Sequence, residues 1–248
     1  TADDIYIAFL PLYHLFGFGA LFMSVLSTQG TLVLMDTYNR EEAFKLIEKE
    51  KCTVHHAAPT HYILELKDDK HKKYDLSSLR IGYTSGYVPP VELMVEIEEE
   101  LGIEVSNFWG SSEVGGALLF DHSDPLKDKR LKTVGKPIDI MDVKIVDPET
   151  REERGIGEEG ELMCRGPNVI KEYWENPEET RAHFEKGGWF CTGDLAIIDE
   201  GGYVTITGRT KDQINRGGLK ITPFELEEEI SKHPKVHEVA VVATPNPV

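Results

Sequence analysis

Cysteine is scarce in this chain: three among 248 residues, Cys52, Cys164 and Cys191, with no C-x-x-C spacing. An odd count without a framework excludes a disulfide scaffold and predicts a reducing, cytoplasmic compartment. Long apolar runs are missing as well, and none approaches the roughly 20 residues of a membrane-spanning helix. Positive charge is in short supply, with 27 Lys and Arg against 44 Asp and Glu and a net charge of −17. Such a surface disfavours the phosphate backbone, so nucleic acid is not an expected partner. The acid is spread over residues 92–100, 147–161 and 225–229, a solvating distribution and not a binding tail. There is no internal repeat, no low-complexity tract, no signal peptide and no initial Met. The chain opens on a strand pattern at residues 4–10, from which we expect a fragment of a longer protein.

What is present is an apolar fraction of 40%, the value of a globular protein, in a length that suits one large core or two ordinary domains. Strand patterns at residues 5–10, 31–35, 52–58, 79–84 and 103–105 alternate with helix patterns at 16–26, 40–51, 60–66 and 89–101. The last of these helices has Pro near its first turn and Gly102 just past its end. This rhythm predicts an α/β fold, a doubly wound, mostly parallel sheet covered by helices, over residues 1–130. From about residue 133 the texture changes. Short runs at 142–146, 161–164, 195–198 and 203–207, punctuated by Gly and Pro, predict a small β-barrel subdomain over residues 131–208. A helix pattern at 223–232 and a strand pattern at 238–243 predict the start of a small α+β C-terminal domain over residues 209–248.

The densest signal lies in residues 188–229. Thr192-Gly193-Asp194 and Gly208-Arg209 flank two β-like runs joined by a turn at Asp199-Glu200-Gly201-Gly202. A hairpin returns its ends to one place, so Asp194 and Arg209 can face one small ligand together. A carboxylate accepts from hydroxyls and a guanidinium donates to them, so the pair suits a vicinal diol; it equally suits a surface ion pair at a hairpin base. Asn107-Phe108-Trp109-Gly110-Ser111-Ser112-Glu113 is expected just past the fifth strand, where open α/β sheets bind ligands. Trp109 offers a face for a purine, Ser112 a donor for phosphate, and Glu113 a hard oxygen for Mg²⁺. The alternative is a buried Trp in a turn beside a solvated Glu. Ser85-Gly86-Tyr87 also follows a strand, and Gly86 lets backbone approach a flat ligand. His14 precedes an apolar run and reads as a site residue or as a hydrogen-bonded core residue. His55, His56 and His61 invite a zinc reading, but no Cys or acidic ligand stands at suitable spacing.

Six segments in this order resemble the adenylate-forming superfamily of acyl-CoA synthetases, aryl-CoA ligases, luciferases and peptide-synthetase adenylation domains: FLPLYHLFG at 9–17, SGYVPP at 85–90, NFWGSSE at 107–113, VGKPI followed by GELMCRGPNVIKEYWENPEET, GWFCTGD at 188–194, and GRTKDQI with the Gly-Gly turn before PFELEE. The resemblance spans nearly the whole chain. It implies that Ser85, Gly86, Tyr87, Asn107, Phe108, Trp109, Gly110, Ser111 and Ser112 bind the nucleotide together with Asp194 and Arg209. By the same resemblance adenine is expected against Trp109, the α-phosphate near Ser112, and Mg²⁺ on Glu113. It implies an acyl pocket at His14, Gly86 and Gly115, a hinge at Lys211, and a path for coenzyme A along Gly217 and Gly218. A solvated Lys and a flexible Gly turn are the alternative there. Trp109 and Ser112 replace the Tyr and Thr usual in the family and keep the chemistry; Tyr87 stands where Gly or Ala is frequent.

The implied parent is an AMP-forming acyl-CoA synthetase that uses ATP, Mg²⁺ and coenzyme A on a small-molecule carboxylic acid. A carrier-protein-loading adenylation domain and a non-catalytic nucleotide-binding module are the alternatives. Two family parts are missing from the sequence: the Thr/Ser/Gly-rich phosphate loop with its Lys, and a late Lys that bridges carboxylate and α-phosphate. Thr84-Ser85-Gly86 begins like that loop but lacks the following T-G-x-P-K-G, so we do not assign it.

Overall fold

Alternating Ile5-Tyr6-Ile7-Ala8 forms β1 (Ile5–Ala8), buried along most of its length, as a central parallel strand must be. The computed structural model describes residues 1–216, 219–231, 233, 235, 236 and 239–244, in two compact units, Thr1–Ile138 and Asp139–Val248. Among the described residues no helix is long and apolar enough to cross a membrane.

In the first unit β1 is followed by a π-helical segment (Phe16–Met23) that runs into α1 (Ser24–Thr28), where the sequence predicts one ordinary helix. Gly17 is required here, because a Cβ would lie 2.2 Å from the Pro11 carbonyl oxygen. Next come β2 (Thr31–Leu34), α2 (Arg40–Glu50), β3 (Val54–His55), α3 (Pro59–Leu66), β4 (Ile81–Thr84) and α4 (Val91–Leu101). Asn39 caps α2 by accepting the Glu42 N–H, and Gly102, at φ 69°, ends α4. α2 buries Ala43, Phe44 and Ile47, and α4 buries Met94, Ile97 and Leu101, each set on one helical face. The unit closes with β5 (Glu104–Ser111), β6 (Gly115–Leu119), α5 (Lys127–Lys132) and β7 (Lys136–Pro137).

The sheet order is β2-β1-β3-β4-β5-β6-β7. The first five strands are parallel and the last two antiparallel. The chain steps from β1 outward to β2 on one side and then crosses back past β1 to β3 on the other. Right-handed connections therefore put α1 and α2 on opposite faces, a doubly wound, mostly parallel sheet. Two lengths depart most from the sequence expectation. β3 is only two residues long, because α3 starts at Pro59. β5 runs eight residues instead of three, because β6 pairs back onto it from Phe108 to Ser111.

The second unit holds β8 (Asp142–Val146), β9 (Gly160–Arg165), α6 (Pro177–His183), β10 (Phe184–Glu185), β11 (Trp189–Ile198) and β12 (Val204–Arg209). They form an antiparallel sheet in the order β10-β11-β9-β8, with β12 also on β11, the half-barrel that the Gly- and Pro-punctuated runs predict. Val146, Met163 and Cys191 make its small core against Trp189. Lys144 and Arg165 lie over the Trp189 ring, at 4.7 and 4.6 Å from its centroid. A 3₁₀ turn (Thr210–Asp212) leads to the hairpin β13 (Ile214–Arg216) and β14 (Leu219–Ile221), then to α7 (Pro223–Ser231). The strand expected at 238–243 does not form: residues 239–244 have no regular structure, and Glu238 lies outside the described residues.

Candidate functional site

The parallel strands of the first unit aim their carboxyl ends at one edge of the sheet, the edge where open α/β folds take ligands. β4 ends at Thr84, which is fully buried, and its Oγ1 meets no hydrogen-bond partner among the described residues. Ser85, Gly86 and Tyr87 follow directly. Gly86 sits at φ 113°, a conformation open to glycine, with nothing within 4 Å of where a Cβ would stand. Tyr87 is exposed.

Asn107 to Ser111 lie inside β5 and not beyond it. Gly110 makes this possible. A Cβ there would be 2.1 Å from the Gly115 carbonyl oxygen, so only glycine lets β6 approach. The ladder is bulged between Trp109 and Gly110. Asn107 and Trp109 are buried, Phe108 half-buried. Ser111 Oγ is buried without a hydrogen-bond partner among the described residues. Ser112, exposed, and Glu113, half-buried, occupy the turn before β6, and Gly115 follows at φ 70°.

His14 is exposed, so it is not a core residue; its Nδ1 accepts the Phe16 N–H at 3.2 Å at the start of the π-helical segment. The other three histidines do separate structural work. His55 pairs with the fully buried Glu65 at 3.0 Å, and Tyr38 donates its hydroxyl to the same carboxylate at 3.2 Å. His56 Nδ1 accepts the Tyr83 N–H at 3.1 Å, and burial pushes its pKa down to about 3. His61 packs against the rings of Phe9 and Tyr38. Among the described residues, Asp69, His71 and Glu100 bring ligand atoms within 4.8 Å of one another. The Lys72 ammonium already fills that place, 2.9 Å from Asp69 and 3.0 Å from Glu100.

In the second unit Asp194 and Arg209 are register partners on β11 and β12, and Arg209 Nε donates to Asp194 Oδ1 at 3.0 Å. The Asp194 side chain is 11% exposed and that of Arg209 is 68% exposed. Thr192 Oγ1 donates to the Leu162 carbonyl at 2.8 Å and accepts the Asp194 N–H at 3.0 Å. Gly193 stands at φ 75°; its N–H donates to Glu161 Oε1 at 3.1 Å, and its carbonyl accepts from Thr210 Oγ1 at 3.1 Å. Arg151 donates to the other Glu161 oxygen. Sequence reasoning missed Glu161, Arg151 and Thr210. The available signal was a charged residue at 161 directly before the apolar run Leu162-Met163-Cys164, within the same strand pattern. Burial pushes the Cys164 thiol up to about 12 and Cys191 up to about 11, so neither offers a thiolate at neutral pH. Lys211 is exposed in the 3₁₀ turn. Gly217 and Gly218 lie outside the described residues.

The profile of the family described as AMP-binding enzyme matches residues 1–174. The medium-chain acyl-CoA ligase ACSF2, mitochondrial, of Danio rerio is 38% identical over 237 residues, which cover 94% of this chain and 39% of that protein. The crystal structure of ATP-bound MatB from Rhodopseudomonas palustris superposes with a TM-score of 0.90 at 30% identity, over all of this chain and 48% of that one. The O-succinylbenzoate coenzyme A synthetase MenE from Bacillus subtilis, in complex with AMP, does so with a TM-score of 0.84 at 28% identity, over all of this chain and 50% of that one. The chain spans less than half the length of the curated relatives it matches.

Proposed function

The chain belongs to the AMP-binding enzyme family, and from that premise we propose that the whole protein is an AMP-forming acid–thiol ligase joining a small-molecule carboxylic acid to coenzyme A. What carries the reading is the pair of buried hydroxyls at the carboxyl ends of β4 and β5. Thr84 Oγ1 and Ser111 Oγ have no hydrogen-bond partner among the described residues. A buried polar atom left unmet calls for an explanation, and a bound nucleotide supplies one.

A carboxylate is a poor electrophile. Its attack on the α-phosphate of ATP, with loss of pyrophosphate, converts it to a mixed anhydride, from which a thiolate then displaces AMP. In this reading Trp109, Phe108 and the segment Ser85-Gly86-Tyr87 bind the base, with Asn107, Gly110 and Ser111 shaping its floor. Ser112 donates to the α-phosphate. Asp194 accepts from the ribose hydroxyls and Arg209 donates to them. His14, Gly86 and Gly115 border the acyl group. Glu113 fits Mg²⁺: it is a hard oxygen donor beside the phosphate-binding Ser112, and this ion takes one or two carboxylates together with substrate phosphates. When bound, Mg²⁺ spreads the charge that moves onto the phosphates. Lys211 is the hinge, Gly217 and Gly218 lie on the coenzyme A path, and residues 1–130, 131–208 and 209–248 are the functional divisions.

The chain by itself is expected to lack adenylation activity, since it carries neither the Lys-bearing phosphate loop nor the bridging Lys. ATP–pyrophosphate exchange tests the reading. The whole protein should exchange label only with an added aliphatic or aromatic acid, and the 248-residue chain should not. Absence of acid-dependent exchange in the whole protein across both classes of acid would refute the ligase reading.

A further inference from the structure

We propose that Glu161 and Arg151 are positioning residues for the nucleotide clamp, acting through the Gly193 peptide to set the Asp194 carboxylate; this rests on the reading of Asp194 given above. The ladder between β9 and β11 pairs Glu161 with Leu195 and Met163 with Cys191, and its register breaks in between. Thr192, Gly193 and Asp194 therefore all face the single residue Leu162. A bulge of this kind strips backbone groups of their ladder partners and re-aims a side chain, which is why bulges cluster beside active sites. Side chains hold this one. Thr192 Oγ1 takes the Leu162 carbonyl, Thr210 Oγ1 takes the Gly193 carbonyl, and the Glu161 carboxylate takes the Gly193 N–H.

Glu161 is 5% exposed, so its charge needs a counter-charge close by, and Arg151 provides it. Arg151 stands at φ 64° in the loop between β8 and β9, and its Nε is also 3.5 Å from Glu185. The chain of contacts is thus Arg151 to Glu161, Glu161 to the Gly193 N–H, and from the Gly193 peptide to Asp194. Removing Glu161 takes away the acceptor of the Gly193 N–H, one of the contacts that fix the backbone next to the Asp194 carboxylate.

A mutant cycle in the whole protein tests this, reading the ATP dissociation constant by calorimetry and KM and kcat in acid-dependent pyrophosphate exchange. Asp194→Ala should weaken ATP at least tenfold, roughly the loss of one hydrogen bond to a charged group. Glu161→Ala should raise KM for ATP about tenfold with kcat within about twofold. Glu161→Gln should recover most of that loss, because the amide oxygen still accepts the Gly193 N–H. The double variant Glu161→Ala/Asp194→Ala should bind ATP no worse than Asp194→Ala alone, since residues acting through one another are not additive. Additive losses, or wild-type affinity in Glu161→Ala, would overturn the positioning role and leave the Asp194 reading standing. Wild-type affinity in Asp194→Ala would overturn both. If Glu161→Ala does not fold, Arg151→Gln enters the same cycle with the same expectations.

Discussion

Asp194 and Arg209 are directly opposed across the β11–β12 ladder, with the guanidinium Nε 3.0 Å from the carboxylate. With the Arg209 side chain 68% exposed, a pair of this kind adds only about 0–1 kcal/mol to stability. Stability is therefore a weak reason for the arrangement, and ligand binding the stronger one. Asp194→Ala and Arg209→Ala should each weaken nucleotide binding by about 1.5–3 kcal/mol for every charged hydrogen bond lost. Tm should hardly move. Calorimetry with a non-hydrolysable acyl-adenylate analogue checks the affinity. Equal affinity in both folded variants would reduce the pair to an ion pair at a hairpin base.

Gly110 tests the β5–β6 hairpin. In Gly110→Ala the new Cβ would collide with the Gly115 backbone. The strands must part, at a cost of roughly 1–3 kcal/mol or more. We expect a lower Tm and weaker ATP binding together, measured by thermal unfolding and calorimetry. A variant as stable as the parent would mean that β6 can be displaced freely.

His56 makes stability depend on pH. Its pKa is about 3 in the folded state, depressed by burial, with the charges of His55 and His122 adding to the effect. In the unfolded chain the value is about 6.5. Below pH 6.5 the unfolded state therefore binds a proton that the folded state refuses, so stability falls as pH falls, down to about pH 3. Between pH 7.5 and 5.0 this one group should cost about 2 kcal/mol. Urea unfolding at the two pH values should show a clearly smaller difference in His56→Gln than in the parent. An identical difference would mean that His56 titrates normally in the folded state.

Lys211 lies in the 3₁₀ turn where the antiparallel sheet ends and the next hairpin begins. If it is a hinge, Lys211→Pro in the whole protein should affect the two half-reactions unequally, because proline holds φ near −65°. Adenylation should survive if the frozen state is the adenylating one, while thioester formation from preformed acyl-adenylate falls by orders of magnitude. Single-turnover assays of each step measure this. Equal losses in both steps, or none, would make Lys211 an ordinary linker residue.

The α/β class, α2 to α4 with the Gly102 stop, and the short antiparallel runs of the second unit were legible in the sequence. Each depends on short-range chemistry: apolar spacing on one helical face, Gly102 at a helix end, and Gly or Pro at turns. The pairing of Asp194 with Arg209 was legible for the same reason, since a tight hairpin carries its own register. Other features depend on how strands meet, not on the local pattern. β5 reaches Ser111 because Gly110 admits the Gly115 backbone, and the expected strand at 238–243 is not formed by its own pattern. Glu161 meets the Gly193 N–H across 32 positions only because the β9–β11 register slips at the bulge. Local propensity and turn chemistry therefore determined which elements form and in what order. Register between strands, set by packing across the sheet, decided which side chain answers which backbone group, and so where the candidate clamp is held.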